Sequence, residues 1–313
     1  MKIAFIFPGQ GSQYAGMGRQ MYNYYPAAKK LFEKADEVLG FSLARLCFEG
    51  PDDELRKTVN AQPAIFTVSV VCAGILLEKG ISPSAVAGHS LGEYSALVTA
   101  GAISFTDGLA LVRKRGQLMQ ETVPLGTGGM IAVLGLDISA VLSVCQEVTG
   151  GGGVVEIANF NCPGQVVIAG EKQALEQASL LARKAGAKRC IPLAVSAPFH
   201  SSLMRPAGEK MAIELATVTV KDPLMPVVAN VTADYIRKGI DVRSLLVQQV
   251  YSPVRWEESM TRLLKDGFDT FIEVGPGNVL TGLLKKLSRN VLTANVENPE
   301  SIEKMLAQFK EVG

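Results

Sequence analysis

Residues 84–93 read Ser84-Ala85-Val86-Ala87-Gly88-His89-Ser90-Leu91-Gly92-Glu93. The short run of small and apolar residues up to Gly88 is predicted as a buried strand, and the stretch from Ser90 to Ala100, ended by Gly101, as a helix. Between them, Gly88-x-Ser90-x-Gly92 has the small residues that let a chain turn sharply from strand to helix and present a serine hydroxyl, the arrangement called a nucleophile elbow. Glycine supplies 31 of the 313 residues, so the string alone is weak and its placement carries the reading. The competing reading is that Ser90 only caps the helix.

Lys2–Phe7 is a second apolar run that meets Pro8-Gly9 and opens onto the loop Gly9-Gln10-Gly11-Ser12-Gln13. Loops at such strand ends often hold ligands. Helices are predicted over 20–48, 61–79 and about 106–121, and alternating strand and helix favours an α/β fold with a parallel sheet. At Val123-Pro124-Leu125-Gly126-Thr127-Gly128-Gly129 the texture changes to a hinge. Strands near 130–134, 154–158, 165–169 and 188–194, with helices near 138–149 and 171–185, then follow in the βαββαβ order of a ferredoxin-like unit. The predicted organisation is a large domain, 1–124 and 196–313, with a small insertion, 125–195. The return to the large domain brings helices near 203–216, 241–250 and 255–266, a strand near 226–230, and a strand at Phe271–Val274 ending in Gly275-Pro276-Gly277.

A serine hydroxyl needs a base to become a good nucleophile near neutral pH, and histidine is the usual one. The chain has two histidines. His89 adjoins Ser90 and should point elsewhere through the turn, which leaves His200, in Ala197-Pro198-Phe199-His200-Ser201. No Asp or Glu stands out as the group that orients it, so a neutral acceptor could serve. At the elbow the Leu91 N–H is the natural donor to a developing oxyanion, and the Gln10 loop is a candidate source of a second.

Composition excludes several classes. With 31 Lys plus Arg against 30 Asp plus Glu, the net charge of +1 offers no global field for nucleic acid or an anionic membrane. The apolar stretch 64–77 falls short of the ~20 residues of a membrane span and reads as a buried helix. The N-terminal run is too short for a secretion signal. Five cysteines without a Cys-x-x-Cys pair suggest a reducing cytoplasm and no metal site.

Phe7-Pro8-Gly9-Gln10-Gly11-Ser12-Gln13, Gly88-His89-Ser90-Leu91-Gly92-Glu93, Pro198-Phe199-His200-Ser201 and Glu273-Val274-Gly275-Pro276-Gly277, with Ala158-Asn159-Phe160-Asn161-Cys162-Pro163-Gly164-Gln165, together resemble the malonyl-CoA:acyl carrier protein transacylases. The resemblance spans nearly the whole chain. It implies an α/β-hydrolase-like large domain with a parallel central sheet and an inserted ferredoxin-like small domain. It also implies ping-pong transfer of malonyl from malonyl-CoA to acyl carrier protein through a Ser90 ester, with His200 as base and acid. By the same resemblance the main-chain carbonyl of Gln249, or of its neighbour Gln248, orients His200. Arg115 pairs with the malonyl carboxylate, Gln10 and Leu91 hold the oxyanion, Gln62 lines the pocket, and Phe199 narrows it against methylmalonyl groups. Coenzyme A thioester is a substrate, no cofactor is implied, and a cytoplasmic monomer is expected. The acidic carrier protein would meet Arg183, Lys184, Lys188 and Arg189, or Lys285, Lys286 and Arg289. A chain without appended modules leans toward fatty acid synthesis. The alternatives are a serine hydrolase using the same elbow and a non-catalytic scaffold that binds carrier proteins.

Overall fold

The computed structural model describes residues 1–124, 126–195 and 197–312. The expected domain boundaries at 125 and 196 fall on residues outside that set. The first half runs β1 (Ile3–Phe7), α1 (Arg19–Tyr24), α2 (Pro26–Leu39), α3 (Leu43–Glu49), α4 (Asp52–Arg56), α5 (Thr58–Glu78), β2 (Ala85–Gly88), α6 (Gly92–Thr99) and α7 (Phe105–Glu121). Next come β3 (Gly128–Leu134), α8 (Ile138–Gly150), β4 (Val155–Cys162), β5 (Gln165–Glu171), α9 (Lys172–Lys184) and β6 (Arg189–Pro192). After a 3-10 turn at Ser202–Met204 the chain forms α10 (Arg205–Thr217), β7 (Val227–Val228), β8 (Tyr235–Ile236), α11 (Gly239–Gln249) and α12 (Trp256–Lys265). It finishes with β9 (Thr270–Val274), α13 (Val279–Leu287), β10 (Leu292–Val296) and α14 (Pro299–Val312).

β1, β2 and β9 are buried at every residue, as expected of parallel strands covered on both faces. They sit in a six-stranded sheet of order β10-β9-β1-β2-β7-β8, parallel except for the β7–β8 pair. Alternation along β1 feeds two cores: Ile3, Phe5 and Phe7 join one apolar cluster, and Ala4 and Ile6 the other. β3 to β6 form a separate antiparallel sheet, order β4-β5-β3-β6, whose own core includes Val133, Val141, Ile168 and Ala178. The small sheet is tied to the segment between α11 and α12 where Phe160 N–H donates to Val254 O (2.9 Å) and Val254 N–H to Ala158 O (2.8 Å), beside register shifts in β4.

Several expectations need correction. The predicted helix 20–48 is three helices, interrupted where Pro26 starts α2 and where Gly40 ends it in the left-handed conformation. The helix predicted from Ser90 starts two residues later, at Gly92, because Ser90 itself has φ 52°. The strand predicted near 226–230 keeps only two residues, and α13, β10 and α14 extend beyond Gly277, where the sequence reading stopped. Among the described residues α5 alone is long and apolar enough to cross a membrane, and 78% of its most apolar stretch is buried within the fold. All five cysteines are free and buried.

Candidate active site

The elbow is built by close approach. A Cβ on Gly88 would lie 1.9 Å from Gly92 C, and one on Gly92 would lie 2.1 Å from Phe7 O, so neither position admits a side chain while β1, β2 and α6 stay packed. Gly92→Ala is therefore expected to destabilise the chain by about 3 kcal/mol or more. Denaturant unfolding checks this, and a wild-type midpoint would refute it.

Ser90 is half-buried, and His200 also sits in the left-handed region, at φ 60°. His200 Nδ1 lies 2.7 Å from Gln249 O, and Nε2 lies 2.7 Å from Ser90 Oγ. A carbonyl can only accept, so Nδ1 carries the hydrogen and Nε2 is free to accept from the serine. Gln249 is the last residue of α11, where carbonyls lack a partner in the helix, and its neighbour's oxygen is taken by Tyr251 N–H (3.1 Å). Between the two glutamines it is thus Gln249 whose carbonyl meets the imidazole.

Burial first, and then the Arg115 cation, push the His200 imidazole down to about 3, against the opposing bond to the Gln249 backbone. A lowered value keeps the base neutral. If His200 takes the serine proton, kcat/KM for acylation of Ser90 is expected to stay level from about pH 7 to about pH 5 and to fall only as the pH nears that low value. An acid limb centred near pH 6.5 in a stopped-flow pH profile would contradict the assignment.

Arg115, on α7, is 1% exposed. Its Nη2 donates to Ser90 Oγ (3.1 Å) and Gln249 Oε1 (2.9 Å), and Nη1 donates to Gln62 Oε1 (2.9 Å). Among the described residues no carboxylate forms an ion pair with it, and its Nε has no partner. A buried guanidinium held by neutral groups beside a serine is a ready receptor for a carboxylate. Arg113 faces the other way, donating to Val59 O (2.8 Å) and Asn60 Oδ1 (2.6 Å).

Gln10, Gln62, Ser90, Leu91, Arg115, Phe199 and His200 line one chamber of about 90 Å³. Gln249 stands behind it. Gln10 Nε2 donates to Thr58 Oγ1 (3.1 Å), and among the described residues no hydrogen bond takes up the Leu91 N–H. Through Gln10, His89, Asn159 and Leu193 the chamber continues into a groove of about 230 Å³, walled by the amides of Asn161 and Gln165 and the apolar side chains of Val279, Leu280 and Leu283. A small acyl group beside Ser90 with a long thin arm in the groove is the ligand shape this favours.

The sequence offers Glu93 as a structural or helix N-terminal charge, and it does not single out Asn230 or the groove wall on α13. His89 turns away from the serine as expected, with Nε2 2.9 Å from Asn161 Oδ1 and its ring edge-on to Trp256. Asn230 follows the end of β7, a place where loops hold ligands, and that position was the available signal.

The profile of the acyl transferase domain matches residues 4–308. A malonyl CoA-acyl carrier protein transacylase of Bacillus subtilis is 52% identical over 310 residues, 99% of this chain and 98% of that protein. An acyl carrier protein S-malonyltransferase of Vibrio cholerae superposes with a TM-score of 0.95 at 43% identity, covering 97% of this chain and all of that one. A malonyl-transacylase solved in complex with its type II polyketide synthase acyl carrier protein gives 0.95 at 45% identity, over 98% of this chain and all of that one. With this identity sustained from end to end, the chain belongs to the malonyl-CoA:acyl carrier protein transacylase family of acyl transferases.

Proposed function

We propose that this chain transfers a malonyl group from coenzyme A to the phosphopantetheine thiol of an acyl carrier protein, through an ester on Ser90. His200 Nε2 takes the Ser90 proton as Oγ attacks the thioester carbonyl, and the tetrahedral oxyanion is held by the Leu91 N–H and by Gln10. Collapse expels coenzyme A, whose sulfur receives the proton from His200. The carrier thiol then gives its proton to His200 and attacks the ester, and Ser90 leaves with that proton. Gln249 orients the imidazole through its carbonyl. Gln62 fixes Arg115, and Arg115 grips the malonyl carboxylate. Phe199, 5% exposed, sets the chamber wall against a branching methyl, a discrimination of about 1–3 kcal/mol.

The observation that carries this reading is the buried Arg115 guanidinium, 3.1 Å from the serine hydroxyl and paired with no carboxylate among the described residues. The groove suits a pantetheine arm shared by donor and acceptor. Of the two basic clusters, Lys285, Lys286 and Arg289 are the proposed docking side, because Lys286 Nζ donates to Gln165 Oε1 (2.9 Å), a groove residue. The sheet orders support an α/β-hydrolase-like large part, 1–124 and 196–313, carrying a ferredoxin-like insertion, 125–195. A cytoplasmic monomer serving fatty acid synthesis, with coenzyme A thioester as substrate and no cofactor, completes the reading.

The test is mass spectrometry of the chain mixed with malonyl-CoA, followed by holo acyl carrier protein. A malonyl adduct on Ser90 that the carrier protein discharges, while water does so slowly, is expected. Malonate released as fast without carrier protein would make the chain a hydrolase, and no adduct would leave a scaffold.

A further inference from the structure

We propose that Glu93 is a positioning residue whose carboxylate, through Gln249 and Asn230, locks the Ser90 peptide in the left-handed turn that aims Oγ at His200. Glu93 lies in the first turn of α6 and is fully buried. Its Oε2 accepts from Gln249 Nε2 (2.7 Å) and from Asn230 N–H (3.1 Å). Each of these partners grips one end of the serine. Asn230 Oδ1 accepts from Ser90 N–H (2.6 Å) while its Nδ2 donates to Gly88 O (2.6 Å), and Gln249 Nε2 also donates to Ser90 O (2.9 Å). Gln249 Oε1 meanwhile accepts from Arg115, so one buried acceptor also fixes the guanidinium.

The physical need is clear from the backbone. A non-glycine residue at φ 52° is strained and persists only where its surroundings over-determine it. Both peptide groups flanking Ser90 Cα are held by side chains from the loop after β7 and from α11, more than a hundred residues away in sequence, and among the described residues Glu93 is the one side chain that hydrogen-bonds both clamps. Oε2 can accept in either protonation state of the carboxyl, so the clamp depends on the acceptor rather than on its charge. Catalytic geometry is sensitive to small displacements, and releasing the clamp lets Oγ drift from the imidazole without closing the chamber.

The inference rests on Ser90 being the nucleophile, so the probe is a fluorophosphonate, which labels an activated serine without requiring a malonyl group. Glu93→Ala is expected to lower the maximal labelling rate by about 10- to 100-fold while leaving the half-saturating reagent concentration unchanged. Glu93→Gln, which keeps an acceptor of the same shape, is expected to restore the rate to within about threefold. Asn230→Ala removes one clamp with Glu93 intact and is expected to show the same loss, so it carries the test if Glu93→Ala fails to fold. Wild-type labelling in both alanine variants, a change confined to the half-saturating concentration, or a Gln variant as slow as Glu93→Ala would each overturn the inference alone. A wild-type chain that does not label at all overturns the reading of Ser90 and the inference with it.

Discussion

His200→Ala is expected to slow acylation of Ser90 by about 10⁴-fold, the largest effect of any single change short of removing the serine. The magnitude follows from the absence of a substitute. His200 Nε2 is the sole ring nitrogen bonded to Oγ, and the other hydroxyl partner, Arg115 Nη2, is a donor that cannot take a proton. The other histidine is engaged with Asn161. A residual rate is expected because Arg115 can stabilise an alkoxide and the Leu91 N–H remains available to the oxyanion. The measurement is the single-turnover release of coenzyme A from malonyl-CoA, alongside a thermal melt to establish that the variant folds. A loss below about tenfold in a folded protein would mean that another group takes the proton, and the dyad would have to be abandoned.

How far the sequence reached depended on whether the deciding contact is local. The strands at Ile3–Phe7 and Ala85–Gly88 and the elbow between β2 and α6 were legible because their pattern lies within ten residues. The two breaks that split 20–48 had local signals too, in Pro26 and Gly40, but the apolar period continues across them and outweighed them. The choice between Arg113 and Arg115 was not legible from spacing. Two residues apart on a helix point to opposite sides, and nothing in Arg113-Lys114-Arg115 says which side faces Ser90. Nor were the clamping roles of Asn230 and Glu93 legible, although the place of Asn230 just after a strand was a local signal. Their bonds join residues separated by 137 and 156 positions, and a buried polar group is recognisable only when the fold brings its partners to it.

Arg115→Ala is expected to lower malonyl transfer by about 10²- to 10³-fold in kcat/KM while lowering acetyl transfer much less. Both acyl groups share the serine, the imidazole, the oxyanion donors and the groove. Only malonyl brings a free carboxylate, and a buried carboxylate without a cation is penalised by several kcal/mol. The acetyl rate serves as the internal control because the guanidinium also bonds Ser90, Gln62 and Gln249, and losing those contacts loosens the site for every substrate. The predicted quantity is therefore the malonyl-to-acetyl ratio. Arg115→Lys separates the two contributions further: a lysine restores the charge but not the planar fork that reaches Gln62, Gln249 and the serine at once, so part of the ratio and little of the shared rate should return. Equal losses for malonyl and acetyl in Arg115→Ala would confine the residue to holding the site together. A ratio that collapses would make it the group that decides which acyl chain the serine keeps, since the chamber otherwise offers malonyl and acetyl the same walls.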